Sequence, residues 1–218
     1  MGAWIDSFLQ SILTRKARML CMKILIIDEC YYTRCGVHAY LNNNPAVKLM
    51  ETATIEQASF SIQDFDPDIV IVNLTQYCSY GGRCPLLEEF IHCCGNKKMY
   101  IYLNTAYPFS DTPVPLMNTV SILAKKRLPA LLNRITRLNS AKMAYYNPSN
   151  FCLVPFFSPQ EQSVIYYWIT KMPNCCIAKK LNISDSTVYC YKRHITEKIK
   201  VRNRLELCFI YNILKYLY

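Results

Sequence analysis

The chain has 218 residues, 52% of them hydrophobic and 18% charged, with a formal net charge of +10. That apolar content supports a buried core and excludes wholesale disorder, and no run approaches the ~18 apolar residues of a membrane-spanning helix. Five glycines with no GxGxxG or GxxxxGK argue against a nucleotide loop, and twelve cysteines with no CxxC and only three histidines leave no zinc spacing.

The charge is uneven. Residues 151–218 hold ten Lys and Arg against four acids, whereas residues 23–150 hold twelve against ten. A basic C-terminal third points to a polyanion, most often nucleic acid; the alternative is a merely solvated basic surface. The N-terminal stretch places its apolar part before its basic part, the reverse of a secretory signal. The thiols therefore read as reduced, mostly core residues of a cytoplasmic protein.

In chain order, Trp4, Ile5, Phe8, Leu9, Ile12 and Leu13 fall on one helical face, followed by Arg15, Lys16 and Arg18. This is either a surface-binding helix or an upstream extension (residues 1–22), and the extension is the simpler reading. MKILIID from residue 22 reads as a buried strand. CYYTRCGVHAYLNN follows with helical spacing at Tyr32, Cys35, Val37, Tyr40 and Leu41. ETATIEQASFSIQDF reads as a short strand and a helix, PDIVIVNL and MYIYLNTA as buried strands, SILA as a short one and LPALLNRITRL as a closing helix. Strands alternating with helices, the strands apolar throughout, predict an α/β domain over residues 23–138 with a parallel sheet covered on both faces. Residues 139–152 are Asn- and Ser-rich and read as a linker.

From residue 153 the pattern is all helical. Ser158-Pro159-Gln160-Glu161 is a capping box with Pro at the first helical position. CCIAKKL, the turn ISDS and the long basic TVYCYKRHITEKIKV describe a helix-turn-helix, with LELCFIYNILKYLY as a fourth helix. Val188, Ile195 and Ile199, at i, i+7 and i+11, would pack inward. The opposite face then carries Tyr189, Cys190, Arg193 and Thr196 toward base edges, bordered by Lys192, Lys198, Lys200, Arg202 and Arg204 for phosphates. An ordinary amphipathic bundle with a solvated basic face is the competing reading.

The segment from Phe157 to Arg204 resembles the DNA-binding domain of LuxR/FixJ-type bacterial transcription factors. Its landmarks are Ser158-Pro159-x-Glu161, Val164-Ile165, Asn174, Ile177-Ala178, Leu181, Ile183-Ser184, Thr187-Val188, Ile195, Lys198, Val201 and Arg204, spaced without a gap. The resemblance implies that the third helix enters the major groove and that the fourth dimerises. Tyr189, Cys190 and Arg193 would then face bases, with Thr187, Tyr191 and Lys198 near the backbone. Tyr189 and Tyr191 stand where the family usually has Lys and His, and Lys171 where Gly is common.

ILIIDECYYTRCGVHAYL resembles the start of a flavodoxin-like response-regulator receiver domain. Asp28 and Glu29 match its Mg²⁺-binding acid pair, and Thr105 and Lys125 match its switch hydroxyl and lysine. The phosphoacceptor position holds Asn73. Aspartyl phosphorylation needs a carboxylate nucleophile, and hard cations need anionic oxygens. The resemblance therefore implies a degenerate receiver with Asp28 and Glu29 as a vestige, no metal and no cofactor. CYYTR with such a receiver and a LuxR-type C-terminus is similar to enterobacterial accessory regulators of capsule and fimbria genes.

These readings predict a non-enzymatic transcription regulator that binds double-stranded promoter DNA without phosphorylation. Its dimer partner would be itself or a second response regulator. It would work in the bacterial cytoplasm, on the nucleoid when bound, with no membrane partner. The alternative is an interaction module that sequesters a response regulator and does not touch DNA.

Overall fold

The computed structural model describes residues 21–42, 44–79, 83–142 and 157–217. The apolar stripe over residues 4–13 lies outside the described residues. Continuous apolar runs make the central strands, because a strand buried on both faces needs no polar alternation. Strands β1 (Met22–Ile27), β2 (Val47–Thr52), β3 (Ile69–Asn73), β4 (Lys98–Leu103), β5 (Val114–Pro115) and β6 (Val120–Ala124) form one sheet in the order β2-β1-β3-β4-β6-β5. Five strands are parallel. The two-residue β5 runs antiparallel to β6 at the edge, pairing Val114 with Ile122, so the sheet is mixed rather than wholly parallel.

Four helices cover the sheet: α1 (Tyr31–Leu41), α2 (Ile55–Phe65), α3 (Pro85–Cys94) and α4 (Leu128–Lys142). One face packs Ile24, Ile26, Ile71, Tyr102 and Leu123 against Val37 and Leu41 of α1 and Leu128–Ile135 of α4. The other packs Leu25, Val70, Val72 and Ile101 against α2 and α3. Thr54 caps α2 by accepting the Gln57 N–H, and Asp66 ends it at φ +47°.

Several expectations need correction. Of the positions spaced for the core of α1, only Val37 and Leu41 are buried; Tyr32 and Tyr40 are exposed. Strand β2 begins at Val47, four residues before the expected strand, as an edge strand whose residues are only half covered. Helix α3 was not anticipated. Helix α4 runs through Lys142, four residues into the stretch read as linker, and residues 143–152 of that stretch lie outside the described residues. The thiols are not mostly core: of the eleven described, only Cys78, Cys84 and Cys94 are buried.

The helical half contains α5 (Pro159–Ile169), α6 (Asn174–Leu181), α7 (Asp185–Ile199) and α8 (Arg204–Leu214). Both arms of the capping box form: Ser158 Oγ accepts the Glu161 N–H, and Glu161 Oε2 accepts the Ser158 N–H at 2.8 Å. Lys171, in the family's usual glycine position, closes α5 at φ +62°, the left-handed region that disfavours a side chain.

Candidate nucleic-acid interface and the acid pocket

The turn between α6 and α7 is set by caps. Asn182 ends α6 at φ +53°, and Ser184 starts α7 by accepting the Thr187 N–H at 3.1 Å. Ile177, Ala178, Val188, Ile195 and Ile199 are buried between the helices, as the seven- and eleven-residue spacing requires. This fixes the outward face of α7. Tyr189 is 65% exposed, and Cys190 and Arg193 are exposed beside it. Arg193 is held along the helix by Glu197 at 2.8 Å, which raises its pKa.

The other expected contact residues sit deeper. Thr187 shares a hydroxyl contact with Ser184 at 2.7 Å, and Tyr191 is half-buried against the core. Lys192 donates to Asn174 Oδ1 at 2.6 Å and lies 5.0 Å from the Trp168 ring centroid. Burial, with Arg204 adding to it, lowers the Lys192 pKa. Lys198 donates to the buried Glu161 carboxylate at 2.7 Å. Burial pushes the Glu161 pKa up, but Lys198 and the Ser158 N–H outweigh it and hold it below the usual range. Thus Tyr189, Cys190 and Arg193 are presented outward, while Lys192 and Lys198 also brace the helices. Asn174 and Glu161 are visible as landmarks in sequence, but their lysine partners are 18 and 37 residues away and carry no local signal.

In the first half, β1 lies between β2 and β3, so the strand order reverses at the parallel β1/β3 pair, where open α/β sheets hold their ligands. Asp28 and Asn73 meet there, lining a cleft of about 300 Å³. The Asn73 amide donates to Asp28 Oδ1 at 3.1 Å, and the Cys30 N–H donates to the same oxygen at 3.0 Å. The Tyr102 hydroxyl donates to Oδ2, and Lys125 Nζ stands 3.6 Å from it. Burial raises the Asp28 pKa, but these donors and Lys125 outweigh it and depress it. On its other side, Asn73 Oδ1 accepts from Thr75 Oγ1 at 2.6 Å. Thr105 bonds the Tyr107 carbonyl at 3.4 Å, and Glu29 is exposed.

The pocket does not fit a divalent cation. Its one buried carboxylate already has protein donors on both oxygens, and the neighbouring ligand position is a neutral amide. Among the described residues no cluster of three or more His, Cys, Asp or Glu is placed to hold a metal ion. Tyr102 was read only as a strand residue; its hydroxyl is what closes the site.

The two halves touch. The Tyr107 hydroxyl donates to the Ile199 carbonyl at 2.8 Å, and Asn212 Nδ2 donates to the Cys78 carbonyl at 3.1 Å. The Cys84 N–H donates to the Tyr216 hydroxyl, and Arg202 lies 5.3 Å from the Phe109 ring centroid. No described side chain of α8 is exposed: one side packs in its own bundle, the other on the 3-10 turn Thr75–Ser79.

Residues 23–146 match the family model for the N-terminal dimerisation domain of the transcriptional regulator RcsA, and residues 155–210 match the luxR family of bacterial regulatory proteins. The transcriptional regulatory protein EntR of Citrobacter freundii is 30% identical over 190 residues, covering 84% of this chain and 94% of EntR. RcsA of Escherichia coli O157:H7 is 22% identical over 189 residues, covering 84% and 89%. RcsB of Salmonella enterica serovar Typhimurium, solved bound to a promoter, superposes with a TM-score of 0.49 at 17% identity, over 88% of this chain and 99% of that one. Among the described residues no helix is long and apolar enough to cross a membrane. The chain belongs to the LuxR-type DNA-binding transcription regulators, non-enzymatic proteins, and carries an RcsA-like N-terminal dimerisation domain.

Proposed function

We propose that the chain regulates transcription without aspartyl phosphorylation, as one half of a dimer with itself or with a second response regulator. The observation that carries this is the bond from the Asn73 amide to Asp28: the phosphoacceptor position holds a donor, not a nucleophile. The exposed face of α7 supplies the DNA contacts. Tyr189, Cys190 and Arg193 read base edges; Arg193 is the bidentate guanine reader, and Tyr189 packs on a thymine methyl. Thr187, Tyr191, Lys192 and Lys198 lie along the phosphate path, with the two lysines also fixing the helix that carries the readers. The domain organisation is a receiver-like dimerisation unit from residue 23 to the end of α4 at Lys142 and a DNA-binding unit over 153–218, joined by a linker. Surface-structure genes, for capsule or fimbriae, are the targets; this rests on the subgroup resemblance of CYYTR and the degenerate receiver.

The test is a gel-shift titration on promoter fragments at two salt concentrations, with the protein alone and mixed with an intact response regulator from the same cell. Salt-dependent retardation of a subset of promoters supports the reading. Loss of the regulator's own shift on mixing, with no shift by this chain, replaces it with sequestration.

A further inference from the structure

Helix α7 is finished by a residue of the other half. The carbonyls of a helix's last turn have no partner inside the helix. At Ile199, the fully buried last residue of α7, the partner is the Tyr107 hydroxyl, 2.8 Å away. Tyr107 is itself only 4% exposed. Strand β5 touches the same helix. Domains move on one another unless their contact is large and apolar. Here one apolar core runs from Val70 and Ile101 through Tyr107 and Val114 to Ile199 and Ile210.

The segment that carries Tyr107 is held from behind. Thr105 Oγ1 donates to the Tyr107 carbonyl at 3.4 Å. The Asn104 N–H donates at 2.8 Å to Thr75 Oγ1, the hydroxyl that donates to Asn73. A second tie lies on α8, where the buried Asn212 donates to the Cys78 carbonyl and accepts from Lys215 at 3.1 Å. This bears on the dimer. The resemblance implies that the fourth helix dimerises, yet no described side chain of α8 is exposed. With α8 taken up in the joint, pairing falls to the dimerisation domain of the first half.

We propose that Tyr107 is a positioning residue for DNA recognition. Its bond to Ile199 fixes the outward face of α7 against the dimerisation domain, so that a pair of chains accepts one spacing and phase of half-sites. The proposal rests on the DNA and dimer readings above and goes beyond them by naming what sets the geometry of the pair. Two binding units on a loose tether lose little when their sites are moved apart, whereas rigidly joined units lose the second contact altogether.

The experiment compares the native chain with Tyr107→Phe, which keeps the buried ring and removes the bond. Each is titrated onto a lone half-site, a two-half-site operator, and that operator with about five base pairs inserted, half a helical turn. A second response regulator is added to both where pairing requires it. The lone half-site should bind both chains equally. The insertion should weaken the native chain at least about thirtyfold and Tyr107→Phe less than about threefold. Nuclear-spin relaxation of the free chains should give one tumbling time for both halves of the native protein and two when Asn212→Ala is added to Tyr107→Phe. The proposal is overturned if the native chain tolerates the insertion, if Tyr107→Phe keeps the native penalty, or if the native halves tumble separately. Tighter binding of Tyr107→Phe to the lone half-site also overturns it, because the joint would then be a brake that opens on DNA. Binding of the lone half-site by the native chain keeps the DNA reading whichever way these results fall.

Discussion

The acid pocket of the first half and the outward face of α7 in the second treat their polar groups in opposite ways. At the pocket, both oxygens of Asp28 are taken by protein donors, and Asn73 is bonded through both its amide nitrogen and its oxygen. On α7, Tyr189, Cys190 and Arg193 project into solvent from a helix pinned by Val188, Ile195 and Ile199. A site whose polar groups satisfy one another has become structure. A face whose polar groups point outward from a rigid base keeps the capacity to bind.

The largest test of this contrast lies on the two faces of α7. Ile195→Ala should cost about 2–5 kcal/mol of stability, read by denaturant titration, because it empties a fully buried site. Tyr189→Ala, on the outward face, should change stability by less than about 0.5 kcal/mol. Next, Arg193→Ala should weaken operator binding by about 1–3 kcal/mol and relax specificity at one base position, checked by competition with mutated operators. Lys200→Ala should instead weaken all sequences alike and flatten the salt dependence.

Smaller effects come from the braces. Glu161→Ala should destabilise by about 1–2 kcal/mol, since it removes one arm of the capping box and the Lys198 pair, which is partly open to water. Glu161 and Asp28 both have folded pKa values below their unfolded ones. Their contribution is therefore full above the unfolded values, about 4, and is lost as pH falls through the lower folded values. Acid unfolding of Glu161→Gln should accordingly show a shallower pH dependence than the native chain. Last, Lys171→Gly should stabilise by about 1 kcal/mol by relieving the left-handed conformation, read as a raised thermal midpoint.

The second half was the more legible from sequence because its signals are local. The box at Ser158 and Glu161, the cap at Ser184 and the spacing of Val188, Ile195 and Ile199 each lie within a few helical turns. The central strands were legible for the same reason: Ile24–Ile27 and Ile69–Val72 are unbroken apolar runs. Edge elements were not. Val47–Thr52 is half covered and β5 has two residues, so neither carries a pattern long enough to read. Nor was the exposure of Tyr32 and Tyr40 on α1, because tyrosines at helical spacing look the same whether they face a core or solvent. The joint between the halves, where Asn212 meets Cys78, lies 134 residues apart in sequence and leaves no trace there.

The Tyr102 hydroxyl on Asp28 bears on reversibility. A chain that had only lost its phosphoacceptor would be one substitution from regaining it. Here Asn73→Asp would place a second carboxylate beside one whose oxygens are already bonded, and like charges at that distance oppose each other. Such a change discards a bonded amide and restores no cation site while Tyr102 keeps its hold. Opening the pocket to a cation therefore requires a change at Tyr102 as well as at Asn73. The closure of this pocket works as a lock: while the Tyr102 hydroxyl holds Asp28, a carboxylate at position 73 alone does not make a cation site.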